Sequence, residues 1–240
     1  LGLVPDGDSG LSAAATAARR PKIVAKNWAA VDWTLRRALR TGRFWWIAIG
    51  YFSALYAWYA VQVHQTVYLV NISFSPAETA WALGAVSFAG IPGQIALGHL
   101  SDRIGREPVW AIGNLGFVIT YLALLLLHAH PSVLLLYLMV LAQGLLGYGV
   151  TSVLGAIPTE IFEGRHYGPI FGTLMLAGIA GGALGPWATG RLFDLFGDYV
   201  AAFVVALLFS LISALAMWFA APRKVRLVAG RVRAAAPEAG

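Results

Sequence analysis

The chain has no cysteine and little charge: of 240 residues, 17 are lysine or arginine and 11 are aspartate or glutamate. The missing thiols exclude disulfides, thiolate metal sites and cysteine nucleophiles. Charged residues make up 12% of the chain, about half of what a soluble domain carries. Apolar residues make up 59%. So little polar surface cannot cover a globule in water, which removes a nucleic-acid binder, a soluble enzyme and a disordered tail from consideration. The solvent that suits this composition is lipid.

A helix that crosses a bilayer needs roughly 20 apolar residues at 1.5 Å rise each. Six windows without Asp, Glu, Lys or Arg have that length: 44–70, 79–98, 108–127, 132–157, 169–189 and 199–221. Short polar hinges at 71–78, 99–107, 128–131, 158–168 and 190–198 separate them. The alternating ten-residue strands of a membrane barrel are absent. The chain therefore divides into a cytoplasmic linker segment (1–43), a six-helix transmembrane bundle (44–222) and a basic tail (223–240). Residues 1–27 offer no apolar core followed by a small-residue cleavage site, so no signal peptide is read there. Residues 28–43 read either as an amphipathic surface helix, with Trp28, Trp33 and Leu35 among lipid headgroups, or as a solvated linker.

The basic residues orient the bundle. Arg19, Arg20, Lys22, Lys26, Arg36, Arg37, Arg40 and Arg43 precede the first window, Arg103 and Arg106 lie between the second and third, and Arg165 lies between the fourth and fifth. Arg223, Lys224, Arg226, Arg231 and Arg233 come after the sixth, which leaves Arg191 alone on the other side. Both termini are accordingly expected in the cytoplasm.

Between the second and third windows stands G-H-L-S-D-R-I-G-R-E (98–107). Gly98 and Gly105 permit a turn, Asp102 can sit against a helix N-terminus, and Arg103 and Arg106 can pair with nearby carboxylates. An ordinary basic loop would also satisfy the charge rule. The run resembles the Gly-x-Leu-x-Asp-Arg-x-Gly-Arg signature of the major facilitator superfamily, a cytoplasmic loop between two helices. After the fourth window, I-P-T-E-I-F-E-G-R-H-Y-G (157–168) resembles that superfamily's Glu and Arg pair at the cytoplasmic end of the fourth helix of each half. The resemblance implies one charge cluster of Asp102, Arg106, Glu160 and Arg165. Each exposed pair contributes under ~1 kcal/mol. Their use would lie in being made in one conformation and broken in the other, as a latch.

A-V-Q-V-H-Q-T-V-Y-L-V (60–70), S-P-A-E-T-A (75–80), G-I-P-G-Q-I-A-L-G-H-L-S-D-R-I-G-R (90–106) and A-L-G-P-W-A-T-G-R-L-F-D-L-F-G-D-Y (183–199) resemble bacterial carriers of the monocarboxylate transporter and oxalate:formate antiporter group. There these elements belong to helices seven to twelve, and the opening L-G-L-V-P-D-G-D is similar to the start of the central cytoplasmic loop after the sixth helix. The resemblance implies an all-α membrane protein whose six transmembrane helices form the C-terminal half of a major facilitator fold. It further implies an inner-membrane secondary transporter, or half of one, for a small organic solute by alternating access, a monocarboxylate being one candidate. The implied partners are the lipid bilayer, the solute with a coupled proton or antiported solute, and a second six-helix bundle, either a missing N-terminal half or another copy. No catalytic residue, metal, cofactor or nucleic acid is expected. Carriers of this group often place an Arg or Lys in the second or fifth helix of this half as a countercharge, and neither window holds one.

Polar residues inside a bilayer are costly and call for a role or a partner. His64 lies near the middle of the first window, and at 100° per residue Ser53, Ala57, Ala60, Tyr68 and Asn71 fall within about 40° of it. This small, polar stripe either lines a transport cavity, where imidazole can bind substrate or carry a proton, or packs against a neighbouring helix. Gln65, Tyr68, Asn114, Gln143 and Tyr148 are further cavity candidates, and Gln62 and Gln94 share their chemistry. Gly98, Asp102, Arg103, Gly105, Arg106, Glu160 and Arg165 are the candidate cytoplasmic gate.

The fifth window and its edges hold seven glycines, with Gly168/Gly172, Gly178/Gly182 and Gly181/Gly185 at i, i+4 spacing, and they suit either a rocking helix or static close packing. Gly147-Tyr148-Gly149 lacks the Thr-Val and the short re-entrant loop of a potassium-channel filter. The alternatives to transport are a membrane-embedded enzyme and a six-span scaffold or sensor. The enzyme would need a Gly-x-Ser-Gly nucleophile, paired Asp residues or a His-Glu-x-x-His site inside the membrane; the six windows hold none of them, and the one Gly-x-Ser-Gly run, 7–10, lies ahead of the first window. Reporter fusions after Ile72 and after Arg223 should report opposite sides of the membrane; the same side from both would refute the topology.

Overall fold

The computed structural model describes residues 22–228. The opening 1–8 run and Arg19, Arg20, Arg231 and Arg233 lie outside the described residues. Among those residues, six helices are long and apolar enough to cross a membrane. Ahead of them come strand β1 (Lys22–Ile23) and two single-turn helices, α1 (Lys26–Ala29) and α2 (Leu35–Ala38). The first span is α3 (Gly42–Asn71), which starts where Thr41 Oγ1 accepts from the Phe44 amide at 3.3 Å. The second, α4 (Pro76–Ile104), opens with a capping box: Ser75 Oγ accepts from the Glu78 amide and Glu78 Oε2 from the Ser75 amide, at 3.2 and 2.8 Å.

The expected hinge at 99–107 is not a loop. Helix α4 continues through Ile104 and α5 (Arg106–Ala129) begins two residues later, so the whole turn is Gly105, with φ of +102°. A side chain would strain that backbone. The charges that end the apolar window do not end the helix, because a helix can emerge from the lipid before it stops.

The fourth span, Val133–Ile161, is segmented into α6 (Val133–Leu141), a π-helical turn (Ala142–Gly147), α7 (Gly149–Leu154) and α8 (Ala156–Ile161). At the π turn this span touches the backbones of both neighbours. A Cβ on Gly93 of α4 would lie 2.6 Å from the Leu145 carbonyl, and one on Gly116 of α5 would lie 2.6 Å from the Gly147 nitrogen. The fifth span, α9 (Tyr167–Phe196), ends at Gly197 in the left-handed region, and the sixth is α10 (Val200–Ala220). Helix α9 outruns its apolar window and takes in Arg191. The expectation of a fifth helix without a cation is thereby corrected, and Arg191 stands exposed.

Helix α3 is the centre of the bundle. Tyr51 stacks on Trp110 of α5 with centroids 5.4 Å apart, and Tyr56 stacks on Phe209 of α10 at 4.1 Å. Trp110 Nε1 donates to Ser213 Oγ at 3.0 Å, and that hydroxyl donates to the Gly50 carbonyl at 2.8 Å, so one relay joins α5, α10 and α3. Helix α9 closes on α3 through glycine: Cβ atoms on Gly181 and Gly185 would overlap the Phe52 and Tyr56 carbonyl oxygens. Of an apolar 18-residue stretch of each helix, 61% is buried in α3 but only 28% in α4 and in α9.

In the segment before α3, the Trp28 and Trp33 rings lie against protein and not among headgroups. Trp33 is buried against Trp28 and Phe162, at centroid distances of 4.5 and 5.2 Å, and Trp28 Nε1 donates to the Ile161 carbonyl at 2.7 Å. Strand β1 pairs antiparallel with β2 (Arg226–Leu227), which lies beyond the sixth span. Aromatic rings that a sequence assigns to lipid have a better partner here, the end of the fourth span. Gly181→Ala should destabilise the bundle by roughly 1–3 kcal/mol through overpacking, whereas Gly172→Ala, with nothing within 4 Å of its new methyl, should leave the thermal midpoint in detergent unchanged.

Candidate functional site

At the end of the bundle that carries β1 and α1, Arg106 sits in the first turn of α5 with three partners. Its Nη1 lies 2.7 Å from Asp102 Oδ1, its Nε lies 2.9 Å from Glu160 Oε1, and Nη1 also donates to Ser101 Oγ. These contacts join α4, α5 and α8. The two ion pairs differ in weight, because the Asp102 side chain is 62% exposed and those of Arg106 and Glu160 only 18% and 12%. Asp102 meets the first residue of α5 from the other side of the turn. It lies in the last turn of α4, where the helix dipole disfavours a carboxylate and Arg106 offsets it.

Of the other gate candidates, Gly98 packs near Ser152 of α7, with 3.6 Å from its Cβ position to that side chain, and Gly105 makes the turn. Arg103 and Arg165 are exposed. Arg165 joins no ion pair among the described residues, so the expected four-residue cluster is corrected to Asp102, Arg106 and Glu160. Arg226 pairs with Glu163 instead.

Glu107 was not singled out from the sequence. It is buried and accepts from the Arg223 amide at 2.7 Å and from Arg223 Nη1 at 3.3 Å, while the Arg223 guanidinium lies 4.2 Å from the Trp218 ring centroid. A carboxylate in the first turn of a helix is a common sight, and nothing local says that its partner lies beyond the sixth span.

Within the membrane, most of the stripe through His64 faces inward. Ser53, Ala57, Ala60 and Tyr68 are buried among the six helices, His64 is half-buried and Asn71 exposed, so of the two readings packing holds for Ser53, Ala57 and Ala60. Helical spacing fixes which residues share a side, and the packing of α5, α9 and α10 around α3 decides what covers it. His64 Nε2 lies 3.0 Å from the Pro186 carbonyl, which can only accept, so that nitrogen is the donor in the contact. Nδ1 faces the Tyr199 hydroxyl at 3.3 Å.

Tyr68 donates to the Leu124 carbonyl at 2.5 Å, and Asn114 Nδ2 to the Trp110 carbonyl at 2.9 Å. Gln143 Nε2 donates to Gln62 Oε1 at 3.2 Å. Gln65 is buried, with no hydrogen-bond partner on either amide atom among the described residues. Tyr148 packs on Trp58 with centroids 4.5 Å apart, over Gly90, where a Cβ would come within 2.7 Å of the ring. At the opposite end, a cavity of about 300 Å³ is lined by Tyr68, Asn71, His128, Phe193, Asp198 and Tyr199, among others. Tyr199 thus connects His64 with that mouth.

The family model described as Major Facilitator Superfamily matches residues 47–237. The chain belongs to the major facilitator superfamily. Among curated superfamily relatives, it is similar to monocarboxylate transporter 13 of Rattus norvegicus, 29% identical over 145 residues that make up 60% of this chain and 33% of the relative. It is also similar to the glycerol-3-phosphate transporter of Bacillus subtilis, 26% identical over 142 residues, 58% of this chain and 32% of the relative. The chain spans about a third of the length of these relatives. Arg106→Gln should strand the Glu160 carboxylate and cost about 2–3 kcal/mol, most of it recovered in the double variant with Glu160→Gln. Asp102→Asn should cost under ~1 kcal/mol. Denaturation in detergent of the four proteins gives the comparison.

Proposed function

We propose that the chain forms the C-terminal half of a secondary transporter for a small organic solute, a carboxylate or phosphate ester by analogy with the names of its relatives, and works by alternating access. The observation that carries this reading is the poor covering of α4 and α9, whose apolar 18-residue stretches are each only 28% buried within the six helices. Lipid can cover such faces, but in this family they are where a second bundle would supply the other wall of the path. Both termini then lie in the cytoplasm, and Asp102, Arg106 and Glu160 form the latch at the cytoplasmic mouth. Arg191, exposed near the opposite end of α9, is this half's candidate countercharge for an anion, and the rest of the positive charge comes from the partner bundle.

The His64–Tyr199 bond favours proton coupling. A proton on Nδ1 would make that nitrogen a donor toward the Tyr199 hydroxyl, which lines the cavity. Because the chain has no native cysteine, single cysteines report contacts cleanly. Ile95→Cys and Leu176→Cys should crosslink to a second bundle in membranes, and Leu215→Cys on α10 should not; only monomer from all three overturns the two-bundle reading. In the assembled transporter, Asp102→Asn should lower turnover of labelled lactate or glycerol 3-phosphate at matched membrane abundance, and His64→Ala should flatten the pH dependence of uptake. Unchanged uptake removes the latch, and an unchanged pH profile returns His64 to packing.

A further inference from the structure

The short helix α2 and the turn that follows it carry three exposed guanidiniums, Arg36, Arg37 and Arg40, within five residues. The backbone beneath them is fixed. Thr34 Oγ1 accepts from the Arg37 amide at 3.4 Å, Ala38 and Trp33 are buried, and Trp45 Nε1 donates to the Leu39 carbonyl at 2.9 Å. Arg37 Nη1 is further held by the Asp32 carbonyl at 2.8 Å. Asp32 is the only acidic residue between Lys22 and Arg43, and its side chain makes no ion pair among the described residues.

The height of this patch relative to the lipid is marked by aromatic rings. Trp45 is 55% exposed, and Trp46 packs on Phe219 at 5.1 Å with both rings open to the outside. Trp218 is also exposed, at the same end of the bundle. Indoles at the end of a membrane-crossing helix sit at headgroup level. The three arginines therefore stand where lipid phosphates are, on a segment whose ordering entropy is spent in folding and not in binding. Guanidinium forks match phosphate oxygens in pairs.

We propose that α2 and Trp45 form a binding site for an anionic phospholipid of the adjoining leaflet, with Arg36, Arg37 and Arg40 holding the headgroup phosphate and the Trp45 indole seated at the boundary with the acyl chains. The site differs from the general basic bias of this end in being local: it depends on these three residues and not on net charge.

The test uses the full chain, delipidated in nonionic detergent and titrated at low salt with phosphatidylglycerol or phosphatidylcholine, with bound lipid counted by native mass spectrometry. Wild type should prefer phosphatidylglycerol at least tenfold. Arg36→Gln/Arg37→Gln/Arg40→Gln should lose about a hundredfold in phosphatidylglycerol affinity with phosphatidylcholine binding unchanged. Arg36→Gln/Arg40→Gln, which keeps the Arg37 bond to Asp32, should lose at least tenfold. Lys22→Gln/Lys26→Gln/Lys224→Gln, the same change in charge at other exposed positions, should lose less than threefold. Wild-type affinity in the triple arginine variant, an equal loss in the lysine variant, or displacement of the lipid by an equal concentration of soluble glycerophosphate would each overturn the proposal.

Discussion

Helices in lipid gain nothing by hiding apolar side chains from their solvent, so what holds this bundle together is close backbone approach and buried hydrogen bonds. Helix α3 shows both. Gly181 and Gly185 let α9 lie against its backbone, Tyr121 of α5 donates to its Ala57 carbonyl, and Ser213 of α10 donates to its Gly50 carbonyl. Its own Tyr51 and Tyr68 donate outward, to the carbonyls of Leu154 and Leu124. Because α3 is held on three sides, the neighbours that hold it keep their other faces free, and α4 and α9 are left open to the outside.

At the charged end, two adjacent residues divide the work. Arg106 reaches to α4 and to the end of the fourth span, while Glu107 reaches to the chain beyond the sixth. The segment before the first span is stitched to the same region by β1 pairing with β2 and by Trp28 on the Ile161 carbonyl. Every element that leaves the membrane on this side is thus tied to another, through contacts that are directional and partly buried. A cluster of this kind can hold one arrangement sharply and release it as a unit.

The spans were legible in the sequence because lipid solubility is written in composition, and the ion pairs among Asp102, Arg106 and Glu160 because the motif resemblance placed them at one end. Helix ends were not legible. Absence of charge measures how far a helix can stay in lipid, and α4 and α9 both run on past that limit, through Ile104 and through Phe196. Which part of the His64 stripe is covered was hidden for a different reason: angular spacing describes one helix, and coverage is a property of its neighbours. Glu107 and the Trp28–Trp33–Phe162 cluster depend on partners far away in the chain, for which no local pattern exists.

Gly105 is a joint without slack. A loop of several residues between α4 and α5 would absorb a change in the tilt of either helix; a single residue passes it on. Helix α4, the open one, and α5, the buried one, therefore behave as the two arms of a bell crank pivoting at Gly105. Phe88 and Ile95 stand exposed on the outer arm, and Glu107, bonded to Arg223 beyond the sixth span, belongs to the first turn of the inner one.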